Sequence, residues 1–146
     1  GASMVGSIAA QHGWAYKAQT RRLYTFALNG ENALPESNPP FFPKPLKQPE
    51  FEIDESLIAQ GSWLFKESCM MCHGSGAVSG GYAPDLRASP IPLSEAAFKE
   101  VVVNGVLLNN GMPKFNDLSD QQLKSLRHFI RHKAREPQVL NTGQGH

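Results

Sequence analysis

No aliphatic run in this sequence is longer than three residues, as at Val101–Val103, whereas roughly 20 consecutive apolar residues are needed to cross a bilayer. A charged-then-apolar leader is also missing from the N-terminal stretch. The sequence therefore predicts no membrane span and shows no precursor segment. Gly1, Ala2, Ser3 and Met4 read as an expression scar followed by a new start, which leaves open an export signal once in front of it. There is no charge surplus either: 14 Lys and Arg stand against 13 Asp and Glu. Without a basic excess to neutralise phosphates, a nucleic-acid partner is not expected. The 146 residues, 40% hydrophobic and 18% charged, suit one soluble globular domain and leave no room for a second full one.

Cysteine is scarce, and the two that exist stand together as Cys69, Met70, Met71, Cys72, followed at once by His73. Ahead of them the chain changes character twice. Trp14–Tyr16 and Leu23–Leu28 are short strand-like runs closed by Asn29 and Gly30. From Pro35 to Pro49, six of fifteen residues are proline. Such a segment can continue neither helix nor sheet and reads as a semi-rigid linker or a strap lying on the surface, with a disordered spacer as the alternative. Phe41 and Phe42 favour the strap, because two adjacent phenylalanines are costly to leave in water.

After the linker the period becomes helical. Asp54 can cap a helix whose apolar face carries Leu57, Ile58, Gly61, Leu64 and Phe65, with Ser68 at its end. Gly61 lowers helix propensity by about 1 kcal/mol relative to Ala, a loss explained by a second helix crossing closely there. Trp63 lies off this face and is expected to be partly buried under the linker, or else to meet a partner domain. Residues 74–92 are a Gly- and Pro-rich loop. A second helix is expected from Ser94 to a stop at Asn104–Gly105, burying Phe98, Val101 and Val102. Ser119 and Gln122 form a capping box for a last helix with Leu123, Leu126, Phe129 and Ile130 on one stripe. Lys124, His128, Arg131 and Arg135 are expected on its solvated side, with docking of an acidic partner as the alternative.

Two thiols three positions apart with an imidazole next to them suit covalent attachment of haem through two thioether bonds, His73 reaching the iron from one side. Four methionines could supply the opposite ligand. Met70 and Met71 lie between the cysteines and cannot reach the far face, and Met4 lies in the scar. Met112, between Gly111 and Pro113 in an irregular segment, is the candidate, with core filling as its plainer reading. Thioether opposite imidazole favours electron transfer over substrate chemistry at the iron. Zinc held with His128 and His132, or a thioredoxin-like dithiol, are the other readings of the cysteines, and neither has the usual spacing or setting. The remaining histidines are expected at the surface, with His128 as a conceivable stand-in for Met112.

Gly61, Phe65, the Cys69–His73 motif, Pro84-Asp85-Leu86, Gly111-Met112-Pro113 with Phe115, and the helix over Leu118–Ile130 together resemble the class I cytochrome c domain, over residues 53–136. The resemblance implies an all-α fold around covalently bound haem c, with an N-terminal extended or short β segment and a proline-rich linker in front. It also implies that the carbonyl of Pro84 receives the His73 hydrogen bond and that Arg87 meets a haem propionate. Residues 15–24 are similar to the tryptophan-docking repeat of pyrroloquinoline quinone dehydrogenase propellers, with Lys17, Arg21 and Tyr24 departing from it. The layout resembles type II quinohaemoprotein alcohol dehydrogenases. It divides the chain into 1–34, a scar and remnant of a last propeller blade; 35–52, the linker; and 53–146, the cytochrome domain. By the same resemblance the chain is the tail of such an enzyme. The resemblance further implies that pyrroloquinoline quinone (PQQ) and calcium belong only to the parent dehydrogenase domain, expected as the electron donor. It also implies a soluble periplasmic copper protein or cytochrome as acceptor and a periplasmic location. The rivals are a free-standing or otherwise fused cytochrome c and an open-site haem enzyme or sensor.

Overall fold

A computed structural model of the chain describes residues 16–17, 22–33, 35–36, 41–79 and 81–137. Trp14, Ala15, His12 and His146 lie outside the described residues, so the expectations placed on them are not addressed. Within the described residues the fold is all-α, with helices α1 (Ile58–Ser68), α2 (Met70–His73), α3 (Glu95–Val102) and α4 (Asp120–Arg135). Single 3₁₀ turns at Glu55–Leu57, Ser75–Ala77, Leu86–Ala88, Ile91–Leu93 and Leu108–Asn110 join them.

The caps fall where the sequence places them. The Asp54 carboxylate accepts from the Ser56 amide at 3.1 Å, and the Ser94 hydroxyl accepts from Ala97 at 3.2 Å. At the start of α4, Ser119 Oγ accepts from the Gln122 amide at 3.3 Å while the Gln122 side chain accepts from the Ser119 amide at 2.9 Å. Two otherwise orphaned donors are thereby satisfied.

The core forms where α1 crosses α4. A Cβ on Gly61 would collide with the Ser125 carbonyl and come within 2.7 Å of the Phe129 Cβ, so only glycine lets the two backbones approach this closely. Around that point Leu64, Phe65, Leu123, Leu126, Phe129 and Ile130 are buried, and Phe98 and Val102 of α3 join them. The Phe65 and Phe129 rings sit 5.2 Å apart at 44°, a favourable tilted pair.

Three expectations are corrected. The run Leu23–Leu28 forms no strand: Leu23, Phe26 and Leu28 are at least 82% exposed, and the segment is instead looped by Arg22, whose guanidinium donates to the carbonyls of Pro35 and Glu36 at 2.7 Å each. Aromatic and β-branched residues such as Tyr24, Thr25 and Phe26 give strand propensity, but a ladder also needs a neighbouring strand. Trp63 is not buried under the linker; it is 61% exposed, and Phe41 and Phe42 also remain exposed.

The basic side of α4 is not solvated. Arg131 is 1% exposed and Arg127 and His128 are buried; of the residues expected to face water only Lys124 is exposed. They are covered by two segments: the proline-rich one, which lies against Arg131 and Arg135 as a strap, and residues 87–95, which meet Arg127 and Arg131. Arg131 donates to the carbonyls of Leu46, Arg87 and Ser89, and Arg135 to those of Lys47, Gln48 and Phe51. Arg127 donates to Pro92, Leu93 and Glu95. The physical reason lies in proline itself. Its prolines keep the strap out of helix and sheet, which leaves carbonyls such as those of Leu46 and Lys47 without ladder partners, and the guanidinium forks supply the donors.

Candidate functional site

The end of α1 runs directly into the cysteine motif. The Cys69 amide still donates to Phe65 at 2.9 Å, and Cys72 and His73 both donate back to the Cys69 carbonyl, at 3.2 and 3.0 Å. Cys69, Cys72 and His73 thus occupy one helical turn at the i, i+3, i+4 spacing that puts side chains on a common side. Gly74, with φ of 75°, then turns the chain out of the helix. Cys69 is half-buried against the core and Cys72 is exposed. Between them Met70 packs inward, whereas Met71 points to solvent at 62% exposure.

His73 is buried, and its Nδ1 lies 3.0 Å from the carbonyl oxygen of Pro84. A carbonyl only accepts, so Nδ1 carries the proton and Nε2 keeps a free lone pair, the tautomer suited to binding a metal. Burial lowers the His73 pKa, opposed by the Pro84 bond and the charge of Asp85. The ring is thereby kept neutral. Pro84 is followed by Asp85, whose carboxylate caps the next turn through the Arg87 amide at 3.0 Å and accepts from the Arg87 side chain at Nε, 3.0 Å, and at Nη2, 2.7 Å. The other terminal nitrogen of Arg87 has no partner among the described residues.

Met112 follows the turn Leu108–Asn110 and Gly111, whose φ of 89° reverses the chain. The segment is held by the Met112 amide on Leu107 at 3.3 Å and the Phe115 amide on the Val102 carbonyl at 2.7 Å. Met112 is half-buried against the same core that Cys69 touches. Ser79 carries no signal in the sequence. It is buried and braces the loop before Pro84, donating to Ala83 at 2.7 Å and accepting from the amides of Gly81 and Tyr16.

The donor set fits haem c better than the rival chemistries. A redox dithiol needs a thiol with a depressed pKa, but burial, followed by the proximity of Cys72, pushes the Cys69 thiol up to about 12. A zinc site needs converging ligands, and among the described residues no group of three or more His, Cys, Asp or Glu side chains is placed to hold a metal ion. His128 and His132 are occupied elsewhere. His128 Nδ1 accepts from the Asp54 amide at 2.9 Å, and His132 lies beside Glu55 and Glu136 at 3.7 and 3.5 Å. His128 is therefore neither a surface residue nor a free stand-in for Met112.

An all-α domain with a Cys-x-x-Cys-His turn and an oriented, neutral histidine defines the class as a cytochrome c domain, an electron-transfer module. Residues 56–130, about half of the chain, match the family described as cytochrome c oxidase, cbb3-type, subunit III, and the chain belongs to that family. It is also similar to longer proteins. It is 34% identical over 134 residues, 91% of its length, to the alcohol dehydrogenase (quinone), dehydrogenase subunit, of Gluconobacter oxydans (strain 621H), of which it covers 17%. With quinohemoprotein alcohol dehydrogenase ADH IIB of Pseudomonas putida it shares 36% identity over 111 residues, 75% of this chain and 16% of that one. With lupanine 17-hydroxylase (cytochrome c) of a Pseudomonas species the figures are 37% over 118 residues, 77% and 16%. The chain thus spans about one sixth of the length of these relatives.

Proposed function

We propose that the domain carries single electrons from a reduced PQQ cofactor in a dehydrogenase domain to a soluble periplasmic copper protein or cytochrome. Residues 53–146 are the carrier, 35–52 the linker, and 1–34 the remnant of a last propeller blade. The similarity to quinone-dependent and quinohemoprotein alcohol dehydrogenases over most of this chain supports the donor. Covalent haem attachment supports a periplasmic location, and no helix among the described residues is long and apolar enough to cross a membrane.

When bound, haem c supplies a one-electron iron couple. The work of the chain is to hold and tune it. Cys69 and Cys72 would hold the haem through two thioether bonds, and His73 Nε2 and Met112 would ligate its iron. Pro84 fixes the His73 ring and raises its basicity. Arg87 keeps one terminal nitrogen for a propionate while Asp85 holds the rest of its guanidinium. With both iron ligands supplied by the chain, the domain would carry electrons and perform no substrate chemistry of its own.

The observation that carries this reading is the His73–Pro84 contact at 3.0 Å next to two cysteines on the same helical turn. Absorption spectra and a pyridine haemochrome assay test it, on protein matured in a host that attaches haem c. The expected result is haem c with a methionine-to-iron charge-transfer band that Met112→Ala abolishes. Absence of covalent haem would refute the attachment, and an unchanged band in Met112→Ala would refute the ligand.

A further inference from the structure

We infer that Arg131 is a positioning residue that locks the proline-rich strap to the turn orienting His73, so that the strap tunes the iron ligand from outside the haem site. The inference rests on the reading of His73 as that ligand. Arg131 is 1% exposed, and among the described residues it has no carboxylate partner; its charge is met by three backbone carbonyls. Burying a guanidinium this way is expensive compared with an apolar side chain of similar volume. The arrangement is therefore a poor choice for stability alone, and its geometry shows what it does.

The three carbonyls belong to two different segments. Leu46 lies in the strap, while Arg87 and Ser89 lie at the turn that follows Pro84. The strap also grips this turn directly, since the Leu46 amide donates to the Arg87 carbonyl at 2.9 Å. That carbonyl thus takes two donors, one from the strap and one from Arg131, whose terminal nitrogen lies 3.1 Å away. The turn is closed on its other side by Asp85 gripping the Arg87 amide and side chain. Pro84 is the residue before Asp85, so the position of its carbonyl follows the turn. The chain of contacts runs Leu46, Arg131, Arg87, Asp85, Pro84, His73, and each link is a hydrogen bond or one covalent step.

If the turn is released, the Nδ1–H···O contact lengthens and His73 becomes a weaker donor to iron. Ferric iron loses more from this than ferrous, and the midpoint potential rises. Loss of a buried positive charge would act in the opposite direction, so Arg131→Lys is the informative change. It keeps the charge and removes the planar fork that spans three carbonyls. Leu46→Pro is the second variant, removing one N–H and no charge. Ser119→Ala, which weakens α4 at its far end, is the stability control.

Two quantities are measured on the haem-matured protein: the exchange rate of the His73 Nδ1 proton by NMR in the ferrous state, and the midpoint potential. Both variants should speed exchange about tenfold or more. They should also raise the ferrous-to-ferric ratio at fixed ambient potential severalfold, a tenfold change being about 59 mV for one electron. Ser119→Ala should move neither. Unaltered exchange and potential in the two variants would overturn the inference, as would an equal change in Ser119→Ala. If Arg131→Lys does not mature, Leu46→Pro decides alone. A failure of the underlying reading is distinguishable, because it removes the haem c spectrum itself in the unsubstituted protein.

Discussion

Replacing Gly61 by alanine tests the packing on which the site is built. On an exposed helical position the change would stabilise by about 1 kcal/mol through propensity. Here the new Cβ meets the Ser125 carbonyl and the Phe129 Cβ, the latter at 2.7 Å. Neither is the movable end of a long side chain. The helices must therefore separate by roughly 1 Å, which opens the interdigitated contact that dense packing maintains. The tilted Phe65–Phe129 pair and the 2.6 Å bond from Ser125 Oγ to Gln60 both lie at this crossing. Overpacking of this type costs about 1–3 kcal/mol, occasionally more. The site falls at or above the upper end because backbone atoms are involved, so about 2 kcal/mol remains after the propensity gain. For a domain of this size that is roughly 8–16 °C in Tm. The assay is thermal and urea unfolding of the haem-matured protein, followed by far-UV circular dichroism. Ala59→Gly, on the exposed side of α1, is the matched control and should cost about 1 kcal/mol. A Gly61→Ala protein as stable as the parent, or more so, would refute the close crossing.

The features legible in the sequence are those whose cause is local. The caps Asp54, Ser94 and Ser119 announce helix starts because a short oxygen-bearing side chain satisfies an amide two or three residues on. The apolar stripes of α1 and α4 follow from a 3.6-residue period. Gly61 was legible as a crossing point because glycine in an apolar helical face has no other good physical explanation. The cysteine turn likewise carries its chemistry in five consecutive residues.

What was not legible depends on partners far along the chain. A periodicity argument counts Arg131 as polar and turns it outward, yet it reaches a strap 85 residues away. The long apolar stem and the five donors of arginine make a buried position possible wherever carbonyls lack partners, and the pattern of polar and apolar residues does not encode that. His128 was misplaced for the same reason, since its acceptor role serves an amide 74 residues away. Trp63 was expected to be covered because aromatic area favours burial. The strap bonds to α4 instead, where the guanidinium groups are, and backbone carbonyl satisfaction outweighs the coverage of one ring.

Two further outcomes follow from these placements. Trp63→Ala should leave stability within about 0.5 kcal/mol, as for an exposed site; a loss of several kcal/mol on urea unfolding would mean that the ring is packed. The second concerns pH. His128 is 7% exposed, its ring is tilted at 56° against the Phe51 ring with centroids 5.1 Å apart, and its Nδ1 accepts from the Asp54 amide, so the native ring is neutral. Burial first, then the positive charges of Lys124 and Arg127, hold its pKa below the ordinary histidine value, against the opposing pull of Asp54. The unfolded chain takes up a proton near pH 6.5, while the folded chain resists it. The contribution of His128 is therefore fully present above about pH 6.5 and is lost as pH falls below it toward the lowered native value. His128→Asn keeps an acceptor, Oδ1, at the reach of Nδ1 and cannot titrate. The urea midpoint of the parent should fall between about pH 7.5 and pH 5.5 more steeply than that of His128→Asn. Equal pH dependence in the two proteins would show that the strap's anchor on α4 does not rest on a neutral imidazole.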